Sequence, residues 1–203
     1  MGKKAIDIVL LPDEAMTAKV IEANRNLVRQ FGAEIVLDKE NCLPHISLAM
    51  GSLAQTDLPA AADILKDIAG ENALPRLEAT AIRTSTNSMC RTVSVLEVKN
   101  IEQLQSLHEE VMGTLGPYLG GDVTREMLYN PDEIEQSTLR WIESYRDKSS
   151  FENFFPHITI GYGELAPMAF PIAFTAGRLA LCHLGNHCTC RKILAAAPIA
   201  TRR

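Results

Sequence analysis

A short stretch of sequence occurs twice in this chain, and the repetition constrains the fold more than any other feature does. Residues 43–51 read Leu-Pro-His-Ile-Ser-Leu-Ala-Met-Gly, and residues 155–163 read Phe-Pro-His-Ile-Thr-Ile-Gly-Tyr-Gly. Four of the nine positions are identical, and the Ser/Thr and Leu/Ile pairs are close chemical substitutions. An internal repeat predicts two copies of one structural unit. In a chain of 203 residues this favours two lobes that share one cleft.

Each copy has the composition of a β-strand that is buried on one face. Because successive side chains of a strand alternate between faces, His45 and Ser47 should share one face, and His157 and Thr159 should share the equivalent face. The aliphatic residues between them would anchor the other face in the core. Residues two apart along a strand are separated by roughly 6.5 Å, so an imidazole and a hydroxyl can converge on one small anion.

These residue types suit the cleavage of a phosphodiester. The reaction needs a base for the attacking hydroxyl or water and an acid for the leaving oxygen, and two histidines with ordinary pKa values of about 6.5 can serve both roles. We therefore predict His45 and His157 as catalytic residues, with either one as the base. The hydroxyls of Ser47 and Thr159 are predicted to bind the phosphate by donating to its non-bridging oxygens. This arrangement requires no metal and no cofactor.

The two motifs, His45-Ile46-Ser47-Leu48 and His157-Ile158-Thr159-Ile160, resemble the paired HxTx/HxSx signatures of the 2H phosphoesterase superfamily. That superfamily includes the bacterial 2′-5′ RNA ligase-like proteins and the cyclic phosphodiesterases. The resemblance implies a bilobal α+β fold with pseudo-twofold duplication, in which two antiparallel sheets with helices outside surround a central cleft. It also implies a metal-independent phosphodiesterase, classed as a hydrolase, that acts on 2′,3′-cyclic phosphates or 2′-5′ linkages of nucleotides or RNA ends, with the direction of the reaction, hydrolysis or ligation, left open.

The order of predicted elements agrees with this α+β class. Hydrophobic periodicity predicts strand, helix, strand, helix, two strands, two helices and three closing strands. Pro12-Asp13-Glu14 is predicted to open the first helix and Gly32 to end it, and Asn100 with Gln103 forms a capping-box pattern for the third. A polar turn is predicted around Thr86-Asn87-Ser88. We expect a single bilobal domain over residues 1–203, with a helical insertion over about residues 121–150.

Charge limits the class of substrate. The chain has 20 Lys+Arg and 25 Asp+Glu, for a net charge of −5, whereas a protein that follows long nucleic acid usually has a basic surplus. Residues 165–203 contain 5 Lys+Arg and no acid, so Arg191 and Lys192 are candidate phosphate contacts. Tyr162 could stack on a base. In a regular strand it would lie on the face opposite Thr159, so this contact needs an irregular strand. The expected partner is a small nucleotide or an RNA end, with neither long nucleic acid nor a membrane, and the oligomeric state is left open.

Two alternatives come from different classes of protein. The same cleft could hold a nucleotide or phosphate ligand without turning it over. A metal-dependent hydrolase could instead be built on the C-terminal Cys/His cluster, although two of its cysteines are too close for the usual zinc knuckle. That cluster comprises Cys182, His183, His187, Cys188 and Cys190. Outside it, His108 is predicted to be a surface or half-buried histidine, and Cys42 a packed thiol.

The sequence predicts a cytoplasmic protein. No apolar run approaches the roughly 20 residues of a membrane span, and Asp7 interrupts the first apolar segment, where a signal peptide would need an unbroken one. The five cysteines are an odd number without a disulfide-framework spacing, so we expect reduced thiols.

Overall fold

A computed structural model describes residues 2–86 and 90–202, so Asn87 and Ser88 of the predicted turn lie outside the described residues. Its ten strands are β1 (Lys3–Pro12), β2 (Ile46–Ala54), β3 (Ala73–Leu74), β4 (Leu77–Thr86), β5 (Thr92–Val98), β6 (His157–Tyr162), β7 (Ile172–Phe174), β8 (Ala176–Leu184), β9 (Cys190–Pro198) and β10 (Ala200–Thr201). Its four α-helices are α1 (Glu14–Phe31), α2 (Leu58–Glu71), α3 (Glu102–Thr114) and α4 (Gln136–Lys148). The remaining segments contain short 3-10 turns.

Two four-stranded antiparallel sheets form the centre of the fold and confirm the predicted α+β class. The first sheet has the order β2-β1-β8-β9, and the second has the order β6-β5-β4-β7. In each sheet the strand that carries a motif lies at an edge and pairs with an antiparallel neighbour. The two sheets are therefore related by a pseudo-twofold duplication, with β2 equivalent to β6 and β1 equivalent to β5.

The equivalence extends to the irregularities of the strands. Ser47 pairs with Val9 and Thr159 pairs with Val95. In both ladders the next residue of the motif strand forms a β-bulge. The residue that the register skips comes directly after the motif hydroxyl in each case. A bulge leaves its extra residue outside the ladder and reorients the strand beyond it. The two motif strands are thus bent at equivalent points.

Helix ends follow local sequence in some places and not in others. Asp13 caps α1 as predicted, because its carboxylate accepts a hydrogen bond from the Met16 amide at 2.9 Å, and Gly32 ends the helix at φ 108°. The predicted capping box of α3 is wrong: Ile101 occupies the cap position, and the Asn100 side chain instead donates to Gln105.

Two helices pack across the pseudo-twofold axis rather than on their own sheet. Helix α1 connects β1 to β2 of the first sheet, yet it packs against β6 of the second. Helix α3 follows β5 of the second sheet and packs against β2 of the first, beside α4. Helix α2 covers the first sheet on β8 and β9. Each motif strand is therefore supported from behind by a helix that belongs to the other half of the chain.

The buried residues form one large core and one small cluster. The small cluster comprises Val9, Leu11, Leu43, Ala180, Cys182 and Cys190. Val9 pairs with Ser47, so this cluster lies on the face of the first sheet that carries the motif hydroxyl. All five cysteines are free thiols, in agreement with the sequence prediction. Within residues 2–86 and 90–202, no helix combines the length and the apolar character that a membrane crossing needs.

Candidate active site

The motif side chains alternate as the sequence predicts. Ile46 and Ile158 are buried, whereas the histidine before each and the hydroxyl residue after each are partly exposed. The copies differ slightly in backbone, since His157 begins β6 while His45 lies just before β2. A histidine and a hydroxyl therefore face the same side of each edge strand.

Each motif histidine is held by the same backbone contact. Nδ1 of His45 lies 2.7 Å from the carbonyl oxygen of Leu43, and Nδ1 of His157 lies 2.8 Å from that of Phe155. A carbonyl oxygen can only accept, so Nδ1 carries the hydrogen in both rings. Nε2 of a neutral ring is then left with its lone pair, available to accept a proton.

The two imidazoles lie within electrostatic reach of each other. Burial, together with repulsion from the charged form of the nearby His157, lowers the pKa of His45 to about 4, and the hydrogen bond to the Leu43 carbonyl offsets part of that shift. Burial also lowers the pKa of His157 below its ordinary value of 6.5. Both rings are therefore mainly neutral at pH 7 in the free protein, and the structure brings the two halves of the repeat to one place.

A buried carboxyl group, Asp7 on β1, completes the first half of the site. The Ser47 hydroxyl donates to Oδ2 of Asp7 at 2.7 Å, and the same oxygen lies 3.7 Å from Nε2 of His45. Burial raises the pKa of Asp7 well above its ordinary value, which favours its neutral form. The register places Val93 at the equivalent point of the second sheet, so the two halves of the site differ.

Sequence reasoning treated Asp7 only as an interruption of an apolar run and did not connect it with the site. A carboxyl group inside a strand that is otherwise apolar is itself informative, since a buried acid needs a partner or a function. In this structure its side chain has no exposed surface.

Helix α4 closes over the first motif through Tyr145. The Tyr145 hydroxyl donates to the backbone carbonyl of Ser47 at 3.3 Å, and its ring is almost fully buried. Burial raises the pKa of this phenol, and the neighbouring Asp7 and the thiol of Cys188 raise it further. The segment 121–150 therefore contributes a neutral hydrogen-bond donor that fixes the backbone of the motif.

The two bulges are held by buried polar side chains from the crossed helices. His108 of α3 donates from Nδ1 to the Leu48 carbonyl at 2.9 Å, and Asn24 of α1 donates to the Ile160 carbonyl at 2.7 Å. Both carbonyls belong to residues that the ladders skip, so the helices satisfy groups that the sheets leave unpaired. The prediction of a surface or half-buried His108 is wrong: the residue is fully buried and also accepts a hydrogen bond from the Phe151 amide.

We predict that Asn24→Leu lowers the free energy of unfolding by about 3 kcal/mol, since each buried polar group left without a partner costs about 1–3 kcal/mol. The Asn24 amide also donates to the Ile35 carbonyl at 2.8 Å and accepts from the Leu37 amide at 2.9 Å, so three backbone groups lose their partner. Urea unfolding of the purified variant measures the change. Asn26→Leu, at an exposed position of the same helix, is the matched control. Equal stabilities of the two variants would contradict the role of Asn24.

Tyr162 lies on the same face as Thr159, because the bulge restores this register. One face of its ring is covered by the Arg91 guanidinium, which lies 4.3 Å from the ring centroid, and its hydroxyl lies 3.1 Å from Nδ1 of His187. Arg91 also forms ion pairs with Glu34 and, at 3.1 Å, with Glu135 of the 121–150 segment. A base stacked on Tyr162 would thus have to use the other face of the ring.

The other predicted contacts are dispersed. Arg191 lies over the ring of Tyr129 at 5.8 Å, and Lys192 is exposed on β9. The two histidines of the C-terminal Cys/His cluster have separate partners, since Nε2 of His183 contacts the Met127 carbonyl whereas His187 contacts Tyr162. Cys182 and Cys190 of that cluster lie together in the small buried cluster. The structure thus brings together His45, His157 and Ser47 with Asp7 and Tyr145, which the motifs alone did not include.

Comparisons with known proteins agree with this geometry. Residues 38–183 match the family described as the 2′-5′ RNA ligase superfamily. Among solved structures, TT0787 of Thermus thermophilus has a TM-score of 0.56 at 17% identity, and the alignment covers 98% of this chain and 100% of that one. A structure described as a phosphoesterase has a TM-score of 0.50 at 14% identity, with 97% and 99% covered. Escherichia coli LigT, complexed with NADP+, has a TM-score of 0.50 at 15% identity, with 98% and 99% covered. No curated protein sequence matches this chain significantly.

Proposed function

Because the chain belongs to the 2′-5′ RNA ligase superfamily, we propose that it is a metal-independent phosphodiesterase that hydrolyses 2′,3′-cyclic phosphates, or 2′-5′ linkages, of small nucleotides or RNA ends. One observation carries the proposal. Two imidazoles from the two copies of the motif lie close enough for a charge on His157 to lower the pKa of His45, and each has Nδ1 held by a carbonyl and Nε2 left as the reactive nitrogen.

The asymmetry of the site supports different roles for the two histidines. The pKa of His45 is lowered to about 4, so His45 is neutral at pH 7 and suits a general base. His157 lacks a carboxyl neighbour equivalent to Asp7, and we assign it as the general acid. His45 would take a proton from water as its oxygen bonds to phosphorus. His157 would give a proton to the ribose oxygen as its bond to phosphorus breaks.

The hydroxyls of Ser47 and Thr159 are proposed to hold the non-bridging phosphate oxygens. Ser47 donates to Asp7 in the free protein, yet a neutral carboxyl carries one O–H and can donate instead. When the neutral Asp7 carboxyl donates to the Ser47 oxygen, the Ser47 hydrogen is free to bind phosphate. The raised pKa of Asp7 is consistent with this, because an ionised carboxylate here would repel the anion.

Small substrates suit the surroundings of the site. Only 13% of the His45 side chain is exposed, and Tyr145 of α4 closes over the first motif. The 121–150 segment is itself acidic, with 7 Asp+Glu against 4 Lys+Arg, so it would repel a long phosphate backbone. A fold relative, LigT, has been crystallised with NADP+, which is consistent with nucleotide-sized ligands.

The experiment that tests the proposal is an assay of the full chain with nucleoside 2′,3′-cyclic monophosphates and 2′-5′ dinucleotides, in excess chelator and across pH. We expect a nucleoside monophosphate product from the cyclic substrates. We also expect kcat/KM to rise as the pH falls from 8 towards 6. The reason is that the pKa of the acid, His157, lies below 6.5, so its protonated fraction grows about tenfold per pH unit above that pKa.

The outcomes separate the proposed enzyme from the two alternatives. Activity that is unchanged or higher in chelator agrees with a metal-independent reaction, whereas activity that chelator removes and zinc restores contradicts it. Tight binding of a nucleotide without product from any substrate would favour a binding module that uses the same cleft. A kcat/KM that increases from pH 6 to pH 8 would contradict His157 as the acid.

A further inference from the structure

Three metal-ligand side chains converge beside the first motif. One oxygen of Asp7, one ring nitrogen of His45 and the sulfur of Cys190 all lie within 4.8 Å of one another. They come from β1, from the residue just before β2 and from β9, so only the fold brings them together. Cys190 has no part in the proposed hydrolysis, and this ligand set differs from the C-terminal Cys/His cluster that the sequence suggested.

Two of the three side chains have an atom that is available to bind a cation. His45 donates from Nδ1 to the Leu43 carbonyl, which leaves the lone pair of Nε2 for a metal, the usual arrangement of a ligating histidine. Oδ1 of Asp7 is fully buried and has no hydrogen-bond partner among the described residues. Since an unpartnered buried carboxyl oxygen costs free energy, a cation at this point would relieve that cost.

The spacing fits a small tetrahedral centre. A metal about 2.1 Å from a nitrogen and an oxygen holds those atoms about 3.4 Å apart. In this structure Nε2 of His45 lies 3.7 Å from Oδ2 of Asp7, so a shift of a few tenths of an ångström suffices for this pair, while Oδ1 of the same carboxyl group is the oxygen without a partner among the described residues. The Cys190 sulfur, within 4.8 Å of both ligand atoms, would move closer on binding. His45 is the member that reaches solvent, and the cleft on that side can supply water as the fourth ligand.

The donor set selects the kind of cation. Nitrogen, oxygen and thiolate sulfur together suit Zn²⁺, whereas Mg²⁺ and Ca²⁺ prefer oxygen ligands alone. Bound as a carboxylate and a thiolate, Asp7 and Cys190 would place two negative charges beside the cation, and each would release a proton on binding.

We propose that Asp7, His45 and Cys190 form an inhibitory site for Zn²⁺. The metal takes the lone pair of His45 Nε2, which the proposed hydrolysis needs for its base; in this respect the inhibition rests on the proposed function. The metal binding itself does not.

A second group of possible ligands is less suited to a cation than the first. It comprises Glu34, Glu135 and His187. The Arg91 guanidinium already forms ion pairs with both of its carboxylates. A divalent cation there would have to displace a positive side chain that also lies over Tyr162. The first site contains no such counter-charge among its three ligands.

Titration of the full chain with Co²⁺ and Zn²⁺ tests the site directly. We expect one Co²⁺ per chain with a thiolate-to-cobalt charge-transfer band in the near ultraviolet, which Zn²⁺ abolishes. Cys190→Ser should remove the band and weaken Zn²⁺ binding by more than about 100-fold, because it deletes a ligand rather than an outer-shell partner. Asp7→Asn should weaken binding and keep the band. In the hydrolysis assay Zn²⁺ should inhibit the wild type but leave Cys190→Ser active.

Two cysteine variants outside the group are the controls. Cys42→Ser removes a buried thiol and Cys90→Ser an exposed one, and both should bind Co²⁺ as the wild type does. Loss of the band in either, an unchanged band in Cys190→Ser, or no stoichiometric binding to the wild type would overturn the proposal. If Cys190→Ser fails to fold, unchanged Zn²⁺ affinity in both Asp7→Asn and His45→Gln would overturn it. Cobalt binding without hydrolysis rejects the proposed function alone, and hydrolysis without metal binding rejects this site alone.

Discussion

Replacement of His45 or of His157 by alanine should lower kcat for hydrolysis of a nucleoside 2′,3′-cyclic phosphate by about 10²–10⁴-fold, the usual contribution of a positioned acid or base. In the proposed mechanism each ring supplies one of the two proton transfers, so neither can replace the other. The loss should appear in kcat rather than in KM, because proton transfer occurs in the transition state. Steady-state kinetics of the two variants measure the effect.

The pH profile and a matched variant make this result specific. The charge of His157 contributes to the low pKa of His45, so His157→Ala should raise the pKa of His45 towards 6.5, which NMR titration of the ring can follow. His183→Gln is the control, because His183 pairs with Ile6 on the opposite face of the sheet from Asp7. Full activity in either alanine variant would contradict the two-histidine mechanism.

Loss of a motif hydroxyl should have the second largest effect. Ser47→Ala and Thr159→Val should each lower kcat by about 10²–10³-fold, as expected when one donor to the developing charge is removed. Each hydroxyl belongs to a different half of the repeat, so the double variant should lose more activity than either single variant. The same steady-state assay measures these losses.

The repeat itself supplies the rescue experiment. The second motif has threonine where the first has serine, so Ser47→Thr and Thr159→Ser retain the donor and should keep most of the activity. Ser47 also donates to Asp7, and the alanine variant leaves that carboxyl without this partner, so stability must be measured beside activity. Equal activity of Ser47→Ala and Ser47→Thr, in folded protein, would contradict the role of the hydroxyl.

Much of the fold and the centre of the site could be predicted from sequence, because they depend on short-range regularities. Alternation of polar and apolar residues placed His45 and Ser47 on one face of a strand, and the repeat indicated a second, equivalent strand. The beginning of α1 follows from the local cap that Asp13 provides, although the same carboxylate also accepts two hydrogen bonds from the distant Thr175. The assignment of Tyr162, Arg191 and Lys192 as substrate contacts stays a prediction.

The site and core residues that could not be predicted from sequence mostly depend on contacts between distant parts of the chain. Asp7 belongs to the site only because β1 pairs with β2, and Cys190 only because β9 lies in the same sheet. His108 is a core residue because a bulge on another strand leaves a carbonyl that needs a donor. The predicted capping box failed for a local reason instead, since the Asn100 side chain donates to Gln105 five residues further along the chain.

The crossed helices have a thermodynamic consequence for the whole molecule. The helix behind β6 lies between β1 and β2 in the chain, and the helix behind β2 follows β5, so neither lobe carries its own complete support. The interaction between lobes is thus part of the stability of each lobe, and the two halves should lose structure in a single cooperative transition. The relative position of the two imidazoles therefore depends on the same packing that stabilises the fold, so a change that loosens the contact between the lobes should lower stability and the proposed activity together.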